Sequence, residues 1–216
     1  SFLGLSACSA KISQSKTSGA TGMGNLSAKG YGPLKADPNG AIRLPEGFSY
    51  QVISKAGETM DDGHIVPGGH DGMAAFNGPN GLTLIVRNHE MSPTSRKASP
   101  FANSKAQATL GSDAMYDAGH GDTLCLGGTS TLVYDTRTQE LKRHYLSLTG
   151  TIRNCSGGPT PWGSWVTCEE TMAKADENLR KEHGYNFEVP ANAEIGLAAP
   201  NPLTEMGRFN HEAIAV

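Results

Sequence analysis

Residues 153–171 read RNCSGGPTPWGSWVTCEET, and the order of residue types in this stretch decides the fold. A cysteine follows an asparagine. A Gly-Gly-Pro turn, a Trp-Gly corner, a short apolar strand and two glutamates come next. Such an order describes one β-hairpin with Cys155 at one end of its chain and Glu170 at the other. A thiolate and a carboxylate delivered to one place form the beginnings of a metal site rather than a core.

The same plan recurs along the chain. HDGMAAFNGPNGLTLIVRNHEM (70–91) opens with Asp71, turns at Gly78 to Gly81, runs through the apolar LTLIV and ends at Glu90. Aligning Val86 with Val166 sets Asn88 on Cys168 and Glu90 on Glu170. NHEAIAV (210–216) opens a third copy with His211 and Glu212. Repeats at uneven spacing, each a supersecondary unit with its own opening ligand, fit the blades of a radial β array with variable insertions.

Composition agrees. With 27 glycines and 12 prolines in 216 residues, and only 37% of residues hydrophobic, the chain is expected to be all-β and rich in turns. Further strands are expected at 48–53 (FSYQVI), at 131–134 (TLVY) and at 142–146 (KRHYL). The last two are joined by a polar turn at Asp135. Residues 92–123, rich in Ser, Ala, Gly and Asp, read as a long insertion, and 173–181 as a short polar helix. A net charge of −3 gives no electrostatic footprint for nucleic acid, and no apolar run is long enough to span a bilayer. No C-x-x-C pair marks a structural zinc site. Cys168 falls inside a strand as a buried thiol, and a Cys125–Cys168 disulfide is compatible with the sequence.

Residues 1–29 are set apart as an export-like segment and linker. SFLGLSACSA is small and apolar, and Leu5-Ser6-Ala7-Cys8 resembles a lipoprotein cleavage box that would make Cys8 a lipid anchor. This points to a periplasmic or extracellular location.

GYGPLKADPNGAIRLPEGFSYQVIS, DGMAAF, RNHE, GGTSTLVYD, NCSGGPTPWGSWVTCEE and GRFNHEAIAV together resemble the PhoX family of exported alkaline phosphatases. The likeness runs from about residue 30 to the last residue. It implies a six-bladed β-propeller that hydrolyses phosphomonoesters, with iron and calcium in its central channel and export through the twin-arginine route. Family members are considerably longer. Residues 30–216 are therefore expected to supply the N-terminal part of the domain, about half of the blades, and to be inactive alone. No twin arginines precede Phe2. The full-length protein is expected to act as a monomer on small phosphomonoesters.

In this reading Glu90, Glu170 and Glu212 supply hard oxygens for calcium or ferric iron, and Cys155 binds a transition metal as thiolate. Asp71 either joins them or caps the turn into Gly72. Either His211 or Glu212 is the third copy's ligand, with Glu212 preferred. Glu169 should face away from Glu170, supporting a ligand or meeting solvent. Asn88 and His89 would orient ligands or touch phosphate. Arg153 would clamp phosphate, unless it is a surface arginine. Two other classes remain open: a calcium-dependent propeller hydrolase, such as a lactonase or phosphotriesterase, and a non-catalytic binding propeller. Neither needs Cys155 to hold a metal.

Overall fold

The computed structural model describes residues 30–37, 40–95, 98–101, 110–121 and 123–216. Cys8 and the export-like segment lie outside them. The chain divides into two compact units, one ending at Val52 and one over Ile53–Val216. In the first, a single antiparallel bridge joins Lys35 to Leu44. The Asp37 carboxylate closes the turn between them by accepting the amides of Ala41 and Ile42 and the Tyr50 hydroxyl. The alternating residues at 48–53 do not form a strand: among the described residues no strand pairs with them, and Phe48 and Val52 remain exposed.

The second unit is all-β. Its strands are β1 (His70–Asn77), β2 (Leu82–His89), β3 (Gly127–Asp135), β4 (Glu140–Thr151), β5 (Asn154–Pro159), β6 (Ser164–Glu169) and β7 (Asn186–Pro190). They build two antiparallel sheets, β1-β2-β3-β4 and β5-β6-β7, each connected in sequence order. Across the sheets, β1 packs chiefly against β5. First strand against first strand is how neighbouring propeller blades meet, and the pair of sheets is consistent with part of a β-propeller.

Alternation explains the layering. Leu84, Val86 and Asn88 of β2 turn to one face, and Val86 joins Leu148, Trp165, Phe187 and Val189 in the core between the sheets. Burying such side chains contributes roughly 1.5–3 kcal/mol each. Arg87 and His89 turn to the other face. His89 Nδ1 donates to the Gly68 carbonyl, so its Nε2 accepts from the Ser130 hydroxyl, which in turn accepts from Arg87 Nη2. This chain of bonds fixes the turn that leads into β1.

Three further expectations need correction. The loop over 173–181 contains no helix, because the Asp176 carboxylate captures the amides of Asn178 and Leu179 and bends the chain. Cys125 and Cys168 are free thiols, not a disulfide. The third copy, 210–216, forms no strand. It runs extended beside the second sheet, tied by the His211 amide to the Glu169 carbonyl.

Candidate metal centre

The two complete copies match in detail that the sequence does not display. In β1 the register with β2 shifts between His70 and Met73, and in β5 the register with β6 shifts between Asn154 and Gly157. Each shift is a bulge, and each bulge holds the opening residue: Asp71 in one, Cys155 in the other. A bulge bends its strand and re-aims a side chain, which is why bulges recur beside active sites. Just before each strand stands a residue with left-handed backbone, Gly69 (φ 60°) and Arg153 (φ 52°). Their carbonyls accept the amides of Glu90 and Glu170, at 2.6 and 2.9 Å. Two hairpins thus present their opening residue and their terminal glutamate with one backbone plan.

The hairpins lie side by side. A β-carbon on Gly72 would come within 2.8 Å of Ser156 Cα and 2.9 Å of the Cys155 carbonyl oxygen, so β1 can approach β5 this closely only with glycine there. Asn88 spans the gap: its amide nitrogen donates to the Ser156 carbonyl at 2.8 Å, and its oxygen accepts the Trp165 indole N–H at 2.8 Å. The Arg153 guanidinium reaches Glu170 at 2.7 Å and Glu90 at 3.5 Å, joining the glutamates of both hairpins.

Cys155, Glu170 and Glu212 offer Sγ and carboxylate oxygens that all lie within 4.8 Å of one another. The Cys155 sulfur is buried and faces the carbonyls of Cys168, His211 and Glu212 at 3.6–3.8 Å. Burial, reinforced by the charges of Glu212 and Glu170, pushes this thiol up to about 11, against a Ser156 backbone contact that lowers it. The sulfur therefore keeps its proton at neutral pH until a cation arrives. Asp71 is likewise raised, by partial burial first and then by Glu90, with Glu212 adding to it. Crowded carboxylates and a buried thiol are a donor set short of positive charge, which is the electrostatic signature of a cation site.

Asp71, Glu90, Arg153, Cys155, Glu170 and Glu212 are thus drawn together. Other candidates lie elsewhere. The His211 ring stacks on Phe209 and contacts the Gly207 carbonyl, leaving Glu212 as the third copy's donor. Asn88 is a buried brace between the sheets, and His89 sits on the opposite face of β2, so neither touches the centre. Glu169 is fully buried, away from Glu170. Its Oε1 accepts from the Ile152 amide and His183, and its Oε2 from the amides of Gly184 and Tyr185. Every oxygen position it has is taken within the fold.

Residues 29–216 match the family model described as alkaline phosphatase PhoX. The chain belongs to the PhoX family. No curated protein and no solved structure matches it. DGMAAF opens in the β1 bulge, and NCSGG carries Cys155, its second residue, in the β5 bulge. A second group, Asp117, Cys125 and His183, was missed. Asp117 and Cys125 are close in sequence but match no ligand spacing rule, and His183 lies far from both.

Proposed function

We propose that this chain carries part of the metal centre of a phosphomonoesterase that works outside the cytoplasm with iron and calcium. The observation that carries the reading is the convergence of the Cys155 thiol, held in the β5 bulge, with Glu170 and Glu212. The donor set fits both metals. Cys155 offers the soft sulfur that iron accepts and calcium does not, while Asp71, Glu90, Glu170 and Glu212 offer hard oxygens suited to ferric iron and calcium alike. When bound, such metals neutralise phosphate charge and the developing charge on the leaving oxygen.

The protein's own groups divide the remaining work. Cys155 gives up its thiol proton when it becomes a ligand, so loading the site releases acid. Arg153 joins Glu90 to Glu170. With cations on those carboxylates, its guanidinium is free to grip two phosphate oxygens as a planar fork. Asn88 and Gly72 hold β5 against β1 and so fix the distance between Cys155 and Asp71.

Export is the second part of the reading, supported by the Leu5-Ser6-Ala7-Cys8 box, with Cys8 as the lipid-bearing residue. Incorporation of labelled fatty acid that disappears in Cys8→Ser is the expected outcome, and unlabelled wild type refutes the anchor.

Cys155→Ser tests the metal assignment. In the full-length protein, iron content and p-nitrophenyl phosphate hydrolysis should fall together, while calcium is partly retained. A variant that keeps its iron, or a wild type holding calcium alone, sinks the iron reading and favours a calcium-only propeller.

A further inference from the structure

On the far side of β6 from Glu170 lies a second convergence of unlike donors. Asp117, Cys125 and His183 present a carboxylate oxygen, a sulfur and an imidazole nitrogen within 4.8 Å of one another, and all three residues are buried. His183 Nε2 is 3.3 Å from Asp117 Oδ2 and 4.0 Å from Cys125 Sγ. Among the described residues, that nitrogen is the one hydrogen-bond contact of the Cys125 sulfur. We infer that these three residues form a second metal site, for a divalent transition metal such as zinc, separate from the Cys155 centre.

The outer contacts argue for it. His183 Nδ1 is 2.7 Å from Glu169 Oε1, and that carboxylate is held by the amides of Ile152, Gly184 and Tyr185. A carboxylate behind an imidazole fixes the tautomer and directs Nε2 outward as a ligand, the arrangement found behind metal-binding histidines. Asp117 is fixed in the same way. Its Oδ2 accepts the amides of Arg180 and Lys181, and its Oδ1 accepts that of Gly119. Two of the three donors are therefore held in position by main-chain bonds.

Distances and donor softness choose the ion. A tetrahedral zinc with ordinary bond lengths separates nitrogen from oxygen by roughly 3.3 Å and sulfur from nitrogen by roughly 3.5 Å. The first value is met, and a small inward rotation of the Cys125 side chain meets the second. Sulfur, nitrogen and one carboxylate suit zinc or ferrous iron and are wrong for calcium or magnesium, which take oxygen throughout.

The rival arrangement is a buried imidazolium between two carboxylates. Burial opposes a proton on His183, but its bonds to Glu169 and Asp117 and their charges outweigh that and raise its pKa. In that arrangement Cys125 only packs against Ile152 and Leu179, whereas a metal ion uses all three groups. It would also tie the 117–125 loop and the 183–185 turn to the end of β6, whose next residue is Glu170.

The test uses the whole chain carrying Cys155→Ser and Cys8→Ser, which removes the thiolate of the other centre. This variant should keep about one equivalent of zinc after dialysis, with a zinc-edge absorption spectrum reading one sulfur and one imidazole neighbour. Cobalt loading should give a thiolate charge-transfer band that Cys125→Ser abolishes. If Cys125→Ser fails to fold, the spectrum of the parent variant decides alone. A parent variant that holds no zinc, gives no sulfur neighbour, or shows a His183 protonated on both nitrogens overturns the site. The inference does not depend on the phosphatase reading, since it is tested where that centre has been disabled.

Discussion

The β1–β2 and β5–β6 hairpins are the same device with different chemistry installed. Both have a bulge at the second residue of the first strand, a left-handed residue two places earlier and a glutamate just past the second strand. Among the matched positions at which they differ, three set the chemistry: Gly69 against Arg153, Asp71 against Cys155, and Asn88 against Cys168. The backbone plan thus determines where groups are delivered, and single substitutions determine what is delivered. The second hairpin holds the sulfur and the guanidinium, while the first supplies an oxygen and the brace that locks the pair.

Making the second hairpin chemically like the first should have the largest effect. Cys155→Asp keeps a ligand in the bulge but removes the sulfur. Loss of iron and a fall in phosphatase turnover on the order of a hundredfold or more are expected, with the melting temperature little changed. A variant with full activity would mean that the two bulges are interchangeable oxygen donors, and the comparison would lose its chemical meaning.

The brace comes next. Asn88→Ala strands the Trp165 indole N–H and the Ser156 carbonyl in a buried place, at a cost of about 2–4 kcal/mol by the usual penalty for unsatisfied groups. Denaturant unfolding measures it. A cost below about 0.5 kcal/mol would mean that water replaces the amide without loss.

Gly72→Ala should cost somewhat less, about 1–3 kcal/mol, because the added methyl meets main-chain atoms of Cys155 and Ser156, which cannot swing aside. The matched residue of the second hairpin is Ser156, so a side chain is tolerated in one bulge and not in the other. The variant should also weaken metal binding at Cys155, read by competition with a chelator. Unchanged stability and unchanged metal affinity would show that the hairpins need not touch.

Much of this was legible before the fold was known, and the reasons are local. The strand-ending glutamates follow apolar runs of period two, and β2 and β6 end one residue before them. The sequence leaves His211 and Glu212 as alternatives, with Glu212 preferred, and the structure brings Glu212 to Cys155. The bulges were not legible, since a bulge depends on pairing between strands and leaves no mark in either strand alone. The bracing role of Asn88 is hidden for a related reason: its two partners, Ser156 and Trp165, lie across the sheets. The helix expected over 173–181 failed because one aspartate side chain competed with the backbone for its amides. Asp117 and Cys125 share the loop before β3 while His183 comes from the loop before β7, and only the packed chain sets them side by side.

The smallest structural effect and the sharpest functional one should meet at Arg153. Its left-handed backbone is a conformation in which a side chain costs of order 1 kcal/mol or more, and the matching position in the first hairpin is Gly69. If Arg153 served only the fold, glycine would do as well or better. Its exposed ion pairs with Glu90 and Glu170 contribute little, about 0–1 kcal/mol each, because solvent screens them. Arg153→Gly should therefore leave stability within about 1 kcal/mol of wild type, as relief of backbone strain offsets the lost pairs. Phosphate handling should suffer instead: KM for p-nitrophenyl phosphate should rise and inhibition by inorganic phosphate should weaken, by roughly tenfold for a lost bidentate contact. Arg153→Lys keeps the charge without the planar fork and should recover only part of the loss. A glycine variant with unchanged KM but markedly lower stability would reverse the assignment, making the arginine a clamp between hairpins and nothing more.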